Sequence, residues 1–186
     1  MTDAKLNHEG TIKLFTERLM LRKFMISDAN DMFNNWACDE EVSRYTLWRT
    51  NESIYETKEF LRDWCMRYNS NQYYHWAIVY EENKQVIGSI SISSINNYLK
   101  TCNVGYTLSK SYWNMGIATE ALKCVIDFMI NIVGIERIYA YHDINNVASG
   151  RVMQKCGMNF IKRKTKLFLN SNKYMVECDY YCYRKS

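Results

Sequence analysis

Three segments decide the fold: Val104-Gly105-Tyr106-Thr107-Leu108, then Trp113-Asn114-Met115-Gly116-Ile117-Ala118-Thr119-Glu120-Ala121-Leu122, then Asn146-Val147-Ala148-Ser149 running on to Lys155-Cys156-Gly157-Met158. The first reads as a short apolar strand, and the second opens a helix after a polar loop. A second strand, Arg137 to Tyr141, leads to the third segment, a helix closed by Gly157. A helix N-terminus offers unpaired N–H groups and the positive end of the macrodipole, which together make an anion site. Gly116 has no side chain and Ala118 almost none, so an anion can approach the backbone there, and Thr119 adds a hydroxyl. Close packing of a helix on a sheet gives the same spacing. A dinucleotide-binding turn requires three glycines and an acidic residue ending the next strand. Only Gly116 is present and Glu136 precedes its strand, so that reading is rejected.

Outward from this stretch the chain reads as one alternating pattern. Residues 12–24 form a first strand centred on Leu19-Met20-Leu21-Arg22. Ser27 caps a helix reaching Trp36, with Asp28 in its first turn. Thr50 or Asn51 caps a second helix with Ile54, Phe60, Leu61, Trp64, Cys65 and Tyr68 on one face. Strands at 74–80 and 85–95 flank a turn at Glu81–Lys84, and Asn96 to Thr101 returns the chain to the strand at Val104. The helix from Gly116 ends at Gly134. A final hairpin, Phe160–Leu169 and Tyr174–Tyr183, turns at Asn170-Ser171-Asn172-Lys173. This order predicts an α/β (α+β) fold: a mixed, mostly antiparallel sheet of about seven strands flanked by about four helices, in one domain over residues 1–186.

Composition narrows the class. With 47% hydrophobic and 24% charged residues the chain is an ordinary globular protein, and its net charge of +4 is too small to coat nucleic acid. The run Lys162-Arg163-Lys164-Thr165-Lys166 reads as a solvated strand face, with RNA or ribosome contact the alternative. Seven cysteines without a CxxC pair, no signal peptide and no membrane-length apolar run predict reduced thiols in a cytosol. His8, His75 and His142 are too scattered to form a metal site.

Taken together, these segments resemble the GNAT acetyltransferases, in the RimJ/RimL-like branch of ribosomal-protein and related N-acetyltransferases. Thr16-Glu17-Arg18-Leu19-Met20-Leu21-Arg22 with Asp28-Ala29 is similar to that branch's opening strand and helix. Tyr112 to Ala121 is similar to its pyrophosphate loop, and Asn146–Ser149 with Arg151-Val152-Met153 and Lys155-Cys156-Gly157 to its late helix. The resemblance implies acetyl-CoA as co-substrate and no metal. Backbone from Asn114, Met115, Gly116, Ile117, Ala118 and Thr119 would hold the diphosphate. Thr107, Leu108 and Ser109 would bond the pantetheine arm as an added strand does. Asn146 would bind that arm through its amide, with helix capping as its plain alternative, and Ser149 would lie near the thioester sulfur as the catalytic candidate. Trp36, Tyr45, Trp48 and His75 are candidates for the acceptor pocket, with core or surface as the plain alternative. The implied partners are acetyl-CoA and an amine acceptor, either a protein N-terminus (a ribosomal protein among them) or a small molecule, for a monomer or homodimer.

The chain departs from that pattern where acid–base chemistry usually sits. Asn103 stands for a common glutamate and Met153 for the tyrosine that protonates the thiolate. Asn114 and Met115 replace a glycine and a basic residue, and Lys110 and Ile144 replace prolines. Without a strong base, the acceptor's own basicity matters. Deprotonating a lysine amine at neutral pH costs about 4 kcal/mol, an α-amine about 1 kcal/mol or less. The expectation is therefore an N-acetyltransferase for a weakly basic primary amine. A non-catalytic acyl-CoA-binding module and a ribosome- or RNA-associated protein are the alternatives.

Overall fold

The computed structural model describes residues 5–46, 48–168 and 174–185; the expected turn at Asn170–Lys173 lies outside the described residues. Among the described residues eight strands form one sheet: β1 (Leu14–Phe15), β2 (Leu19–Arg22), β3 (Tyr74–Tyr80), β4 (Val86–Asn96), β5 (Thr101–Leu108), β6 (Arg137–Asp143), β7 (Asn159–Phe168) and β8 (Tyr174–Arg184). Their order is β1-β2-β3-β4-β5-β6-β8-β7, antiparallel throughout except where β5 runs parallel to β6. The first predicted strand is two, because Thr16 turns the chain: its N–H donates to Leu19 O and its hydroxyl accepts from Leu19 N–H.

Five α-helices among the described residues cover the faces: α1 (Ala29–Met32), α2 (Glu40–Ser43), α3 (Ile54–Arg67), α4 (Ile117–Phe128) and α5 (Val147–Lys155). A 3-10 turn, Ile26–Asp28, enters α1, and a π turn, Phe33–Ala37, extends it. The predicted caps shift. Ser27 does not start this segment; Asp28 Oδ2 accepts from the Met25 N–H at 2.8 Å while its carboxylate takes both Arg22 Nη groups. Neither Thr50 nor Asn51 caps α3. Ser53 does, its hydroxyl accepting from Glu56 N–H, while buried Asn51 donates to Thr57 Oγ1. Ser53→Ala is expected to cost about 1 kcal/mol, a fall of about 2–4 °C in melting midpoint by calorimetry.

The sheet separates two cores. Leu122, Val125 and Phe128 of α4 and Met153 of α5 pack on Ile87, Ile90, Ile92 and Ile138. On the opposite face Trp36, Met32 and Leu61 pack on Ala77, Val79 and Val86. Ile78 pairs with Gly88 and Val79 with Val86, so Ile87 is an extra residue that reverses the alternation of β4. From there Ile90 and Ile92 face the α4 core, while Ser89, Ser91 and Ser93 face the α1–α3 side. A Cβ at Gly88 would lie 2.4 Å from Thr107 O, so glycine is what lets β5 pack alongside the bulge.

Candidate active site

β5 and β6 pair only at Thr101–Arg137, Cys102–Ile138 and Asn103–Tyr139, yet β5 continues to Leu108 and β6 to Asp143. The two strands therefore part beyond Asn103 and open a wedge in the sheet. Ser109 N–H donates to Ile87 O at 2.8 Å, and antiparallel ladders alternate bonded and unbonded pairs. The same alternation turns the main-chain groups of Thr107 and Gly105 to β4, and those of Val104, Tyr106 and Leu108 toward the wedge. Leu108 O accepts the Trp113 indole N–H at 2.9 Å.

α4 starts beside the wedge. Gly116, at its N-cap, has φ +79°, and Asn114 before it has φ +62°. No side chain caps this end, so the first-turn N–H groups keep their bonding capacity. The loop is pinned from the β1–β2 turn. Arg18 Nη1 donates to Met115 O (3.1 Å), and its Nε to Glu120 Oε2 (2.8 Å). Glu120 also accepts from Thr16 Oγ1 (2.5 Å) and Arg18 N–H (3.0 Å). Arg18 thus sets a guanidinium 3.6 Å from where a Gly116 Cβ would stand, a cation near the loop that the sequence, lacking one at Met115, does not reveal.

At the other side of the wedge, Asn146 caps α5: its Oδ1 accepts from Ser149 N–H at 3.2 Å, which leaves its side-chain N–H groups as donors. Ser149 Oγ lies 2.9 Å from the Tyr106 hydroxyl, which also reaches Ser149 O at 3.0 Å. Burial raises the Tyr106 phenol well above its ordinary value, against the lowering effect of the Ser149 bond, so it stays a neutral hydroxyl. Sequence reasoning missed this pair because 43 residues separate the partners. Met153 is buried in the α4 core.

One cleft of about 930 Å³ joins these parts. Thr107, Leu108, Asn114, Gly116, Ile117, Ala118, Thr119, Asn146 and Ser149 line it, as do Trp36, Tyr45, Trp48 and His75. Ser109 is buried, its N–H bonded to Ile87 O, and the Met115 side chain is exposed. Burial, with Arg67 adding to it, pushes His75 down to about 3, so it is a neutral ring against Trp64, 4.1 Å between centroids. Among the described residues no group of His, Cys, Asp and Glu could hold a metal ion, and no helix is long and apolar enough to cross a membrane. The seven cysteines are unpaired thiols. In the basic run, Arg163 is bound to Asp179 and Lys166 lies 3.6 Å above the Tyr141 ring, so alternate residues serve opposite faces of β7.

A parted strand pair beside an uncapped, glycine-led helix is the architecture of an acyltransferase that takes a nucleotide thioester. A family model described as an acetyltransferase (GNAT) domain matches residues 18–159, and the chain belongs to that family. It is similar to the uncharacterized N-acetyltransferase YoaA of Bacillus subtilis (strain 168), 29% identical over 146 residues, 77% of this chain and 81% of that one. It is also similar to the uncharacterized N-acetyltransferase p20 of Bacillus licheniformis, 27% identical over 143 residues, 75% and 78% of the two chains. Among solved structures, the ribosomal-protein-S5-alanine acetyltransferase from Vibrio fischeri superposes with a TM-score of 0.74 at 20% identity, over 93% of this chain and 96% of that one. The microcin C7 self immunity acetyltransferase MccE, in complex with acetyl-CoA and AMP, gives 0.79 at 17% identity, over 98% and 100%. These structural likenesses establish the shared fold.

Proposed function

We propose that the chain transfers the acetyl group of acetyl-CoA to a primary amine by direct attack on the thioester, as a single cytoplasmic domain of the RimJ/RimL-like branch acting as monomer or homodimer. The N–H groups of residues 116–119, with the backbone of Asn114 and Met115, hold the diphosphate. The main chain of Tyr106 and Leu108, with Thr107 between them and Ser109 just past the strand's end, lies along the pantetheine arm, and the Asn146 amide donates to it. The observation that carries this reading is the parting of β5 from β6 after Asn103 and Tyr139, which leaves strand-edge groups without a strand partner.

The amine nitrogen attacks the carbonyl carbon, and a β5 N–H receives the developing oxyanion. When the C–S bond breaks, its electron pair stays on sulfur, which the Ser149 hydroxyl bonds, and the proton shed by the attacking nitrogen ends on that sulfur, so the products are the amide and the free coenzyme thiol. Tyr106 gives its one proton to Ser149 O and takes the bond of the Ser149 hydroxyl, so it fixes where the serine stands and acts as a positioning residue. Ser149→Ala is expected to lower kcat about 10-fold, or about 1.4 kcal/mol, and Tyr106→Phe about 3-fold, with little change in the KM for acetyl-CoA. The double variant should be no slower than Ser149→Ala. Thiol release from acetyl-CoA with an amine panel is the assay. Unchanged kcat in Ser149→Ala would remove the serine from this role. The absence of side-chain acid or base at Asn103 and Met153 favours a second reading, a coenzyme-binding module, which predicts uptake of acetyl-CoA without turnover.

A further inference from the structure

We infer that the acceptor is a singly charged primary amine carried beside an aromatic or large apolar group, and that polyamines and other polycations are rejected. This rests on the coenzyme reading above. If the thioester enters through the wedge from the α4–α5 side, the amine must come from the α1–α3 side of the sheet. The register defines the floor on that side. His75 lies opposite Ser91 and Ser91 opposite Gly105; Ala77 lies opposite Ser89 and Ser89 opposite Thr107; Ser93 lies opposite Asn103. Directly opposed residues share a face, so this floor is small, uncharged and polar.

The walls are Trp36, Tyr45, Trp48, Phe60 and Trp64. Glu41 is the one carboxylate lining the cleft among the described residues, and Lys110 holds it in an ion pair. Arg151 and Lys155 also line the cleft, from α5 on the coenzyme side, so that side supplies no carboxylate either. One ammonium can rest on an aromatic face. A second or third would meet no free carboxylate and would lose its hydration for nothing. The same walls favour the neutral amine over the ammonium, since desolvation disfavours the charged form. That effect substitutes for the base absent at Asn103. His75, neutral and pressed against Trp64, adds ring surface to this side and no charge.

The test compares kcat/KM for tryptamine, a tripeptide beginning with tryptophan, spermidine and Nα-acetyl-lysine amide, with acetyl-CoA binding measured by calorimetry on the same protein. At least one aromatic acceptor should exceed spermidine and the lysine derivative by 10-fold or more. Tryptamine leading indicates a small-molecule acceptor, and the tripeptide leading a polypeptide N-terminus. Ser91→Asp, which sets a carboxylate on the floor, should shift the spermidine-to-tryptamine ratio toward spermidine by 10-fold or more at unchanged KM for acetyl-CoA. Spermidine or lysine equal to or above both aromatic acceptors would overturn the inference, as would coenzyme binding with no turnover of either aromatic amine. No coenzyme binding at all would sink the underlying reading and this inference with it.

Discussion

Gly116→Asp is expected to weaken acetyl-CoA binding by at least about 100-fold, close to 3 kcal/mol, while the protein stays folded. Gly116 holds φ +79° at the N-cap of α4, a conformation that asparagine and aspartate tolerate better than other side chains. A Cβ there meets nothing closer than Arg18 Nη2 at 3.6 Å, so space is available. The new carboxylate would accept from the first-turn N–H groups and satisfy the helix end itself. The helix loses little, and the diphosphate loses its donors and meets a like charge. Calorimetric titration with acetyl-CoA alongside a thermal melt separates the two effects. Binding within about 3-fold of the parent would mean that the anion lies elsewhere.

Glu120→Ala is expected to cost roughly 2–3 kcal/mol, or about 4–12 °C in melting midpoint. It removes a carboxylate that accepts from Thr16, from Arg18 N–H and from the Arg18 guanidinium at once, and leaves Arg18 without its counter-charge. The upper figure for a buried pair does not apply, because the Arg18 side chain is 37% exposed and screened. Burial alone would raise the Glu120 pKa, but the bonds from Thr16 and Arg18 outweigh it and hold the group below its ordinary value. A depressed carboxylate contributes stability above its unfolded pKa near 4.5, and that contribution fades as pH falls through the lower folded value. The gap in melting midpoint between parent and Glu120→Gln should therefore be full at pH 7 and shrink below about pH 4. A gap independent of pH would show that the charge is not what matters.

Glu120 also shows how far the sequence could be read. Its place in the first turn of α4 predicts a partner for the helix dipole, which it is by position. Its bonds to Arg18 and Thr16 span more than 100 residues and leave no mark in any local pattern. Punctuation was legible where backbone conformation demands it. Gly116, Gly134 and Gly157 all have positive φ: Gly116 precedes α4, Gly134 closes the π turn Met129–Val133 that continues α4, and Gly157 follows α5. The entry to α1 was not, because Asp28 serves Met25 N–H and Arg22 rather than following a Ser27 cap. Likewise the Ile-Ser alternation at 89–93 reads as a strand, but period alone does not say which face meets a cleft. The bulge at Ile87 decides that, and it exists only in the pairing of β3 with β4.

The central claim is that main-chain groups of β5 take the pantetheine arm while the first turn of α4 takes the diphosphate. Amide chemical shifts in ¹⁵N-labelled protein, followed during titration with S-acetylpantetheine and then with acetyl-CoA, test it most directly. The prediction is that both compounds move the Tyr106 and Leu108 amides, and that the amides of residues 116–119 move only with acetyl-CoA. Amides 116–119 unmoved at saturating acetyl-CoA, or shifts confined to another part of the fold, would contradict it.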